Sequence, residues 1–80
     1  MTIQILGGGC PNCKKLEENA VKAAEQLGIE ATIEKVTDID EILEMGVLRT
    51  PGYAFDGTVQ NFGKVYSPEE IAESLKAYTA

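Results

Sequence analysis

An amphipathic helical pattern lies between two short strand-like segments in the first part of the chain. Apolar and β-branched residues predict strands at about residues 2–6 and 30–36. Between them, apolar residues recur at helical spacing over about residues 11–27, and Gly28 is the expected C-cap. A strand, a crossover helix and a second strand predict a parallel pair with a right-handed connection.

A second, shorter helix is expected next. Asp38, followed three residues later by Glu41, is typical of an N-cap with a reciprocal partner, and Gly46 marks the end of the helix. One side of this helix is predicted to be apolar, and the residues on that side are Ile39, Ile42 and Leu43.

The remaining residues predict a hairpin and a closing helix. Asp56-Gly57 supplies the positive φ values of a type I′ turn between strands at about residues 53–55 and 58–62. Ser67-Pro68 with Glu70 is a helix start with a capping box, and the inner face of this helix is expected to hold Ile71, Leu75 and Tyr78. We therefore expect an α/β fold of order βαβ-α-ββα, with a four-stranded mixed sheet and helices on both faces.

Length and charge narrow the class of protein. Eighty residues leave room for one small domain, which we place at residues 1–80. The net charge of −6 argues against nucleic acid and a membrane surface as partners. The first residues lack the cationic and apolar regions of a secretory signal, so we expect a cytoplasmic protein.

The chemistry is expected at Cys10-Pro11-Asn12-Cys13, because the chain has no histidine and only these two cysteines. The pair falls where the first strand meets the first helix. First-turn N–H groups and the helix dipole favour a thiolate at Cys10, so its pKa is expected below the ordinary value of about 8.5. Cys13 lies one turn further, within reach of Cys10. This placement predicts that Cys10 attacks a substrate disulfide and that Cys13 resolves the mixed disulfide.

Thr50-Pro51-Gly52 is the second informative motif. A proline directly before a strand removes a ladder donor. A cis Thr50-Pro51 bond would turn the chain and leave the Thr50 backbone free to pair with a peptide, whereas a trans bond would make an ordinary loop. Together with the cysteine motif, the sequence favours the cis bond.

These motifs, with Phe62-Gly63 and the closing helix, resemble the thioredoxin/glutaredoxin superfamily over essentially the whole chain. The resemblance is strongest to the small thioredoxin-like redox-active disulfide proteins of archaea and bacteria. It implies a thiol–disulfide oxidoreductase without a cofactor or bound metal, acting as a monomer on disulfide-containing proteins and restored by a reductase. The resemblance also implies a substrate groove, formed by Gly9, Pro11, Asn12, Thr50, Pro51 and Gly63.

The sequence departs from typical thioredoxins at several positions. Gly9 replaces the usual tryptophan, and Gln4 stands where those proteins carry a buried aspartate for proton exchange. Proline in the first intervening position is similar to glutaredoxins, which typically have tyrosine where Asn12 stands. Basic residues that would bind glutathione are sparse, and the candidates are Lys14, Lys15 and Arg49. For the two lysines, the sequence favours a solvated charge over this role.

Two other classes of protein share parts of this pattern. Small metallochaperones also place Cys-x-x-Cys between a first strand and a first helix, and two thiolates at this spacing bind Cu(I). Their element order is βαββαβ, and they usually carry methionine where Gly8 stands. The third class is a non-catalytic interaction domain on the same scaffold, which the intact cysteine pair argues against.

Overall fold

The structure is a computed structural model that describes residues 1–7 and 11–79. It contains the strand–helix–strand crossover that the sequence predicts for the first part of the chain. Strand β1 spans Thr2–Leu6, helix α1 spans Pro11–Leu27, and strand β2 spans Thr32–Val36. The two strands are parallel, with Thr2 opposite Thr32 and Leu6 opposite Val36.

Helix α1 ends at the glycine expected to cap it. Gly28 has φ 66°, its N–H donates to the Glu25 carbonyl at 3.1 Å, and the Ile29 N–H donates to the Ala24 carbonyl at 2.9 Å. This is the Schellman arrangement, in which a glycine reverses the chain direction. Strand β2 begins two residues later than predicted, since its pairing starts where the Thr32 N–H bonds the Met1 carbonyl.

Helix α2 spans Ile39–Glu44 and is capped by Asp38, whose side chain accepts from the Asp40 N–H at 2.8 Å. The apolar side predicted for this helix is only partly buried. Ile42 is buried, but Ile39 is 62% exposed and Leu43 is 52% exposed. A six-residue helix presents little more than one turn to the sheet, so the contact centres on Ile42 and leaves its apolar neighbours at the margin.

The hairpin forms as predicted, with one irregularity. Strands β3 (Gly52–Phe55) and β4 (Thr58–Phe62) are joined by Asp56 at φ 49° and Gly57 at φ 87°. These positive values belong to a type I′ turn. Tyr53 pairs with Asn61 and Ala54 with Val59, so β4 carries an extra residue, a bulge that the sequence pattern did not predict.

Helix α3 spans Pro68–Thr79 and begins with the predicted capping box. The Ser67 N–H donates to Glu70 Oε1 at 3.2 Å, and the Glu70 N–H donates to Ser67 Oγ at 3.1 Å. Ile71 and Leu75 are buried, and the half-exposed Tyr78 ring meets Phe55 edge-on.

The described residues form three helices and one four-stranded mixed sheet in the order β2-β1-β3-β4, so the predicted fold class is confirmed. Helices α1 and α3 cover one face, and α2 covers the other. The first core cluster includes Ile3, Ile5, Leu16, Tyr53, Phe55, Ile71 and Leu75. The second contains Leu6, Ile42, Val47 and Ala54. No helix within the described ranges is long and apolar enough to cross a membrane.

The sheet register determines where the site lies. Strand β3 runs antiparallel to β1, with Leu6 opposite Gly52. The residue after β1 and the residues before β3 therefore meet at one end of the sheet, beside the first turn of α1.

Candidate active site

Gly7 is the point at which three chain segments meet. It directly follows β1, is buried, and donates its N–H to the Val36 carbonyl at 2.9 Å. A Cβ at Gly7 would collide with the Cys13 sulfur and would lie 3.6 Å from Thr50 Cβ. The end of β1, the first turn of α1 and the loop before β3 are therefore packed together here, and the packing requires glycine.

Cys13 faces the sheet from the first turn of α1. It shares the inner face of the helix with Leu16 and Ala20, and its exposed fraction is 5%. Pro11 and Asn12 of the same turn are exposed. The other predicted residues of this segment, Gly9 and Cys10, lie outside the residues that the structure describes.

The Thr50-Pro51 peptide bond is cis, as the sequence favoured. Thr50 is exposed and Pro51 is buried. The Pro51 carbonyl accepts from the Gly63 N–H at 2.9 Å, and Gly63 has φ 101°. A Cβ at Gly63 would lie 3.9 Å from Arg49 Cβ. The structure thus brings Arg49, Thr50, Pro51 and Gly63 together, and places Thr50 next to Gly7.

The Gln4 side chain forms a hydrogen bond far from this site. Its Oε1 accepts from the Gly57 N–H at 2.9 Å, in the hairpin turn at the other end of the sheet. The residue that stands in place of the aspartate of typical thioredoxins therefore supports the hairpin and does not reach Cys13.

A pocket of about 210 Å³ opens beside Cys13, between α1 and the edge strand β2. Its lining includes Gly7, Cys13, Lys14, Glu17 and Lys35. Lys35 Nζ lies 3.2 Å from Glu17 Oε1 across the pocket. Of the predicted basic candidates, Lys14 lines this pocket and Lys15 is exposed on α1.

Sequence reasoning did not single out Glu17 or Lys35. The four-residue spacing from Cys13 to Glu17 was available as a signal, because residues i and i+4 share one helix face. Lys35 could not be placed without the strand register, which sets it opposite Ile5.

Comparisons with known proteins agree with this geometry. A family model described as Thioredoxin domain matches residues 1–76. A thioredoxin of Methanocaldococcus jannaschii is 53% identical over 78 residues, covering 98% of this chain and 90% of the relative. A thioredoxin of Methanothermobacter thermautotrophicus is 49% identical over 75 residues, covering 94% of this chain and 97% of the relative. The chain belongs to the thioredoxin family and is a thiol–disulfide oxidoreductase.

Proposed function

We propose that the chain reduces disulfide bonds of protein substrates with Cys10 as the attacking thiol and Cys13 as the resolving thiol. The observation that carries this assignment is the burial of Cys13. Its exposed fraction is 5%, and its sulfur packs against the Gly7 backbone. A thiol in that position is shielded from an incoming protein but lies one turn from its neighbour in the motif, so external attack falls to Cys10.

The proposed reaction has two exchange steps. The Cys10 thiolate attacks one sulfur of the substrate disulfide, and the other substrate sulfur leaves as a thiolate. The Cys13 thiolate then attacks the Cys10 sulfur, and the second substrate thiolate leaves. The substrate gains two electrons and takes two protons, and the chain is left with a Cys10–Cys13 disulfide. A reductase returns two electrons to restore the dithiol.

The proposed substrate groove surrounds this pair. Pro11 and Asn12 are exposed at the start of α1, and Thr50 and Gly63 are exposed near the cis bond. With the buried Pro51, these residues would form the surface against which a substrate segment lies. Gly9 is assigned to the same surface from the sequence motif alone. The Thr50 backbone would pair with that segment. We expect the chain to act as a monomer in a reducing, cytoplasmic compartment, where such a dithiol stays available.

The copper-chaperone alternative conflicts with the element order. In that class two strands follow each other directly after the first helix, whereas here α2 lies between β2 and β3. The loop with the cis Thr50-Pro51 bond has no role in holding a metal between two thiolates.

A reduction assay driven by dithiothreitol tests the proposed function, with a protein disulfide as substrate. We expect wild-type turnover, and loss of turnover in Cys10→Ser because no attacking thiol remains. A Lys76→Met variant, which changes an exposed residue of α3 outside the proposed site, is the control for nonspecific effects. Turnover that survives Cys10→Ser, or tight stoichiometric Cu(I) binding without any turnover, would contradict the proposal.

A further inference from the structure

A carboxylate lies one helical turn beyond the buried cysteine. Glu17 follows Cys13 by four residues on α1, and both line the pocket of about 210 Å³. Residues at this spacing are neighbours on a helix surface. The Glu17 side chain is 26% exposed, and Lys35 Nζ is 3.2 Å from its Oε1. The carboxylate is therefore held between a buried thiol and solvent.

Resolution of a mixed disulfide requires Cys13 to lose its proton, because the thiolate is the nucleophile. Burial disfavours the charged form of a thiol, so this proton does not leave readily without an acceptor. The pocket is wide enough for several waters, each of which takes about 30 Å³ in the liquid. Waters in this pocket would connect the Cys13 thiol to the other residues that line it.

We propose that Glu17 accepts the Cys13 proton through water in this pocket during the second exchange step. Lys35 is a positioning residue that holds the Glu17 carboxylate at the pocket wall. The proton passes from Cys13 to the Glu17 carboxylate as the Cys13–Cys10 bond forms and the bond from Cys10 to the substrate sulfur breaks. Glu17 then returns the proton to solvent, where the departing thiolate takes one up. This inference rests on the proposed roles of Cys10 and Cys13.

The other charged groups around Glu17 do not fit this role. Lys14 and Lys35 are the basic residues of the same pocket, and a lysine ammonium group is a donor without an acceptor. Three further charged residues line the adjoining groove along α1 but not the pocket beside Cys13, and these are Glu18, Lys22 and Glu25. Among the described residues that line the pocket, Glu17 is the one carboxylate.

The two exchange steps are separated with a symmetric nitrobenzoate disulfide that releases a coloured thiolate at each step. The reagent is mixed with an equimolar amount of reduced protein. The first coloured thiolate is released when Cys10 attacks the reagent, and the second is released when Cys13 resolves the mixed disulfide. In Glu17→Gln we expect an unchanged first phase and a second phase slowed about a hundredfold at neutral pH, the low end of what a positioned base contributes. The deficit should shrink as the pH is raised well above the ordinary thiol pKa of about 8.5, because a growing fraction of the thiol then ionises without a base.

Three further variants test whether the effect belongs to the Glu17 carboxylate. Glu17→Asp should recover part of the second-phase rate, and Lys35→Met should slow that phase by less than Glu17→Gln. Glu18→Gln removes the neighbouring charge, which is outside the pocket, and should leave both phases unchanged. A second phase in Glu17→Gln equal to wild type, or slowed equally at every pH, would overturn the inference. If wild type releases no thiolate, or Cys10→Ser keeps the first phase, the proposed function itself fails instead.

Discussion

At the scale of single residues, the site depends on a position without a side chain. Gly7 allows the Cys13 sulfur to lie against the backbone at the end of β1. The cysteine spacing and the glycines before it were visible in the sequence. The identity of the atom that Gly7 accommodates was not, since it follows from how α1 packs on the sheet.

A substitution at Gly7 tests this packing. Gly7→Ala should lower the free energy of unfolding of the reduced protein by about 1–3 kcal/mol, the usual cost of inserting a methyl group into a packed interior. Urea denaturation measures the loss. In a Cys13→Ala background the same change should cost much less, because the sulfur that the new Cβ meets is gone. Strictly additive effects in this double-mutant cycle would show that the two residues do not interact.

At the scale of elements, local signals specified where helices begin and end. Gly28 and the Ser67 capping box occupy their predicted places because caps depend on neighbouring residues alone. The start of β2 and the exposed Ile39 and Leu43 of α2 were not predictable in this way. Strand ends depend on the length of the partner strand, and the buried side of a short helix depends on the surface it meets.

The capping box gives an element-scale prediction. Ser67→Ala removes the acceptor for the Glu70 N–H and should lower the free energy of unfolding by about 1 kcal/mol. Ser67→Asn retains a capping oxygen and should recover most of the loss. Both values follow from urea denaturation at neutral pH. Equal destabilisation by alanine and asparagine would contradict a capping role.

At the scale of the whole molecule, the two ends of the sheet have different tasks. One end carries Cys13 and the cis Thr50-Pro51 loop. At the other end, Asp56 accepts from the Thr2 N–H at 2.7 Å and from Tyr78 Oη at 3.1 Å, which ties β1, the hairpin and α3 together. The Thr2 hydrogen bond, and then that of Tyr78, lowers the pKa of Asp56. Burial, and then the Asp56 contact, raises the pKa of Tyr78, so it remains a donor at neutral pH.

Asp56→Asn tests whether the hairpin end of the sheet contributes to stability without affecting disulfide exchange at the other end. Asparagine tolerates the positive φ of this turn, so the change keeps the turn and removes the charge together with one of the two acceptor oxygens. We expect a lower thermal midpoint at neutral pH and unchanged rates of disulfide exchange. Because the folded-state pKa of Asp56 is lowered, the wild-type advantage should be present above its unfolded value and lost as pH falls through the lowered value. A midpoint difference that stays constant with pH, or altered exchange rates, would contradict this separation.

The assignment of Cys10 as the attacking thiol and Cys13 as the resolving thiol is tested most directly by trapping the mixed disulfide. Cys13→Ser is incubated with a protein disulfide, and the covalent adduct is mapped by mass spectrometry, with Cys10→Ser treated in parallel. If Cys10 attacks and Cys13 resolves, Cys13→Ser accumulates a stable adduct through Cys10, and Cys10→Ser accumulates none. An adduct through Cys13 in Cys10→Ser, with none in Cys13→Ser, would reverse the assigned roles.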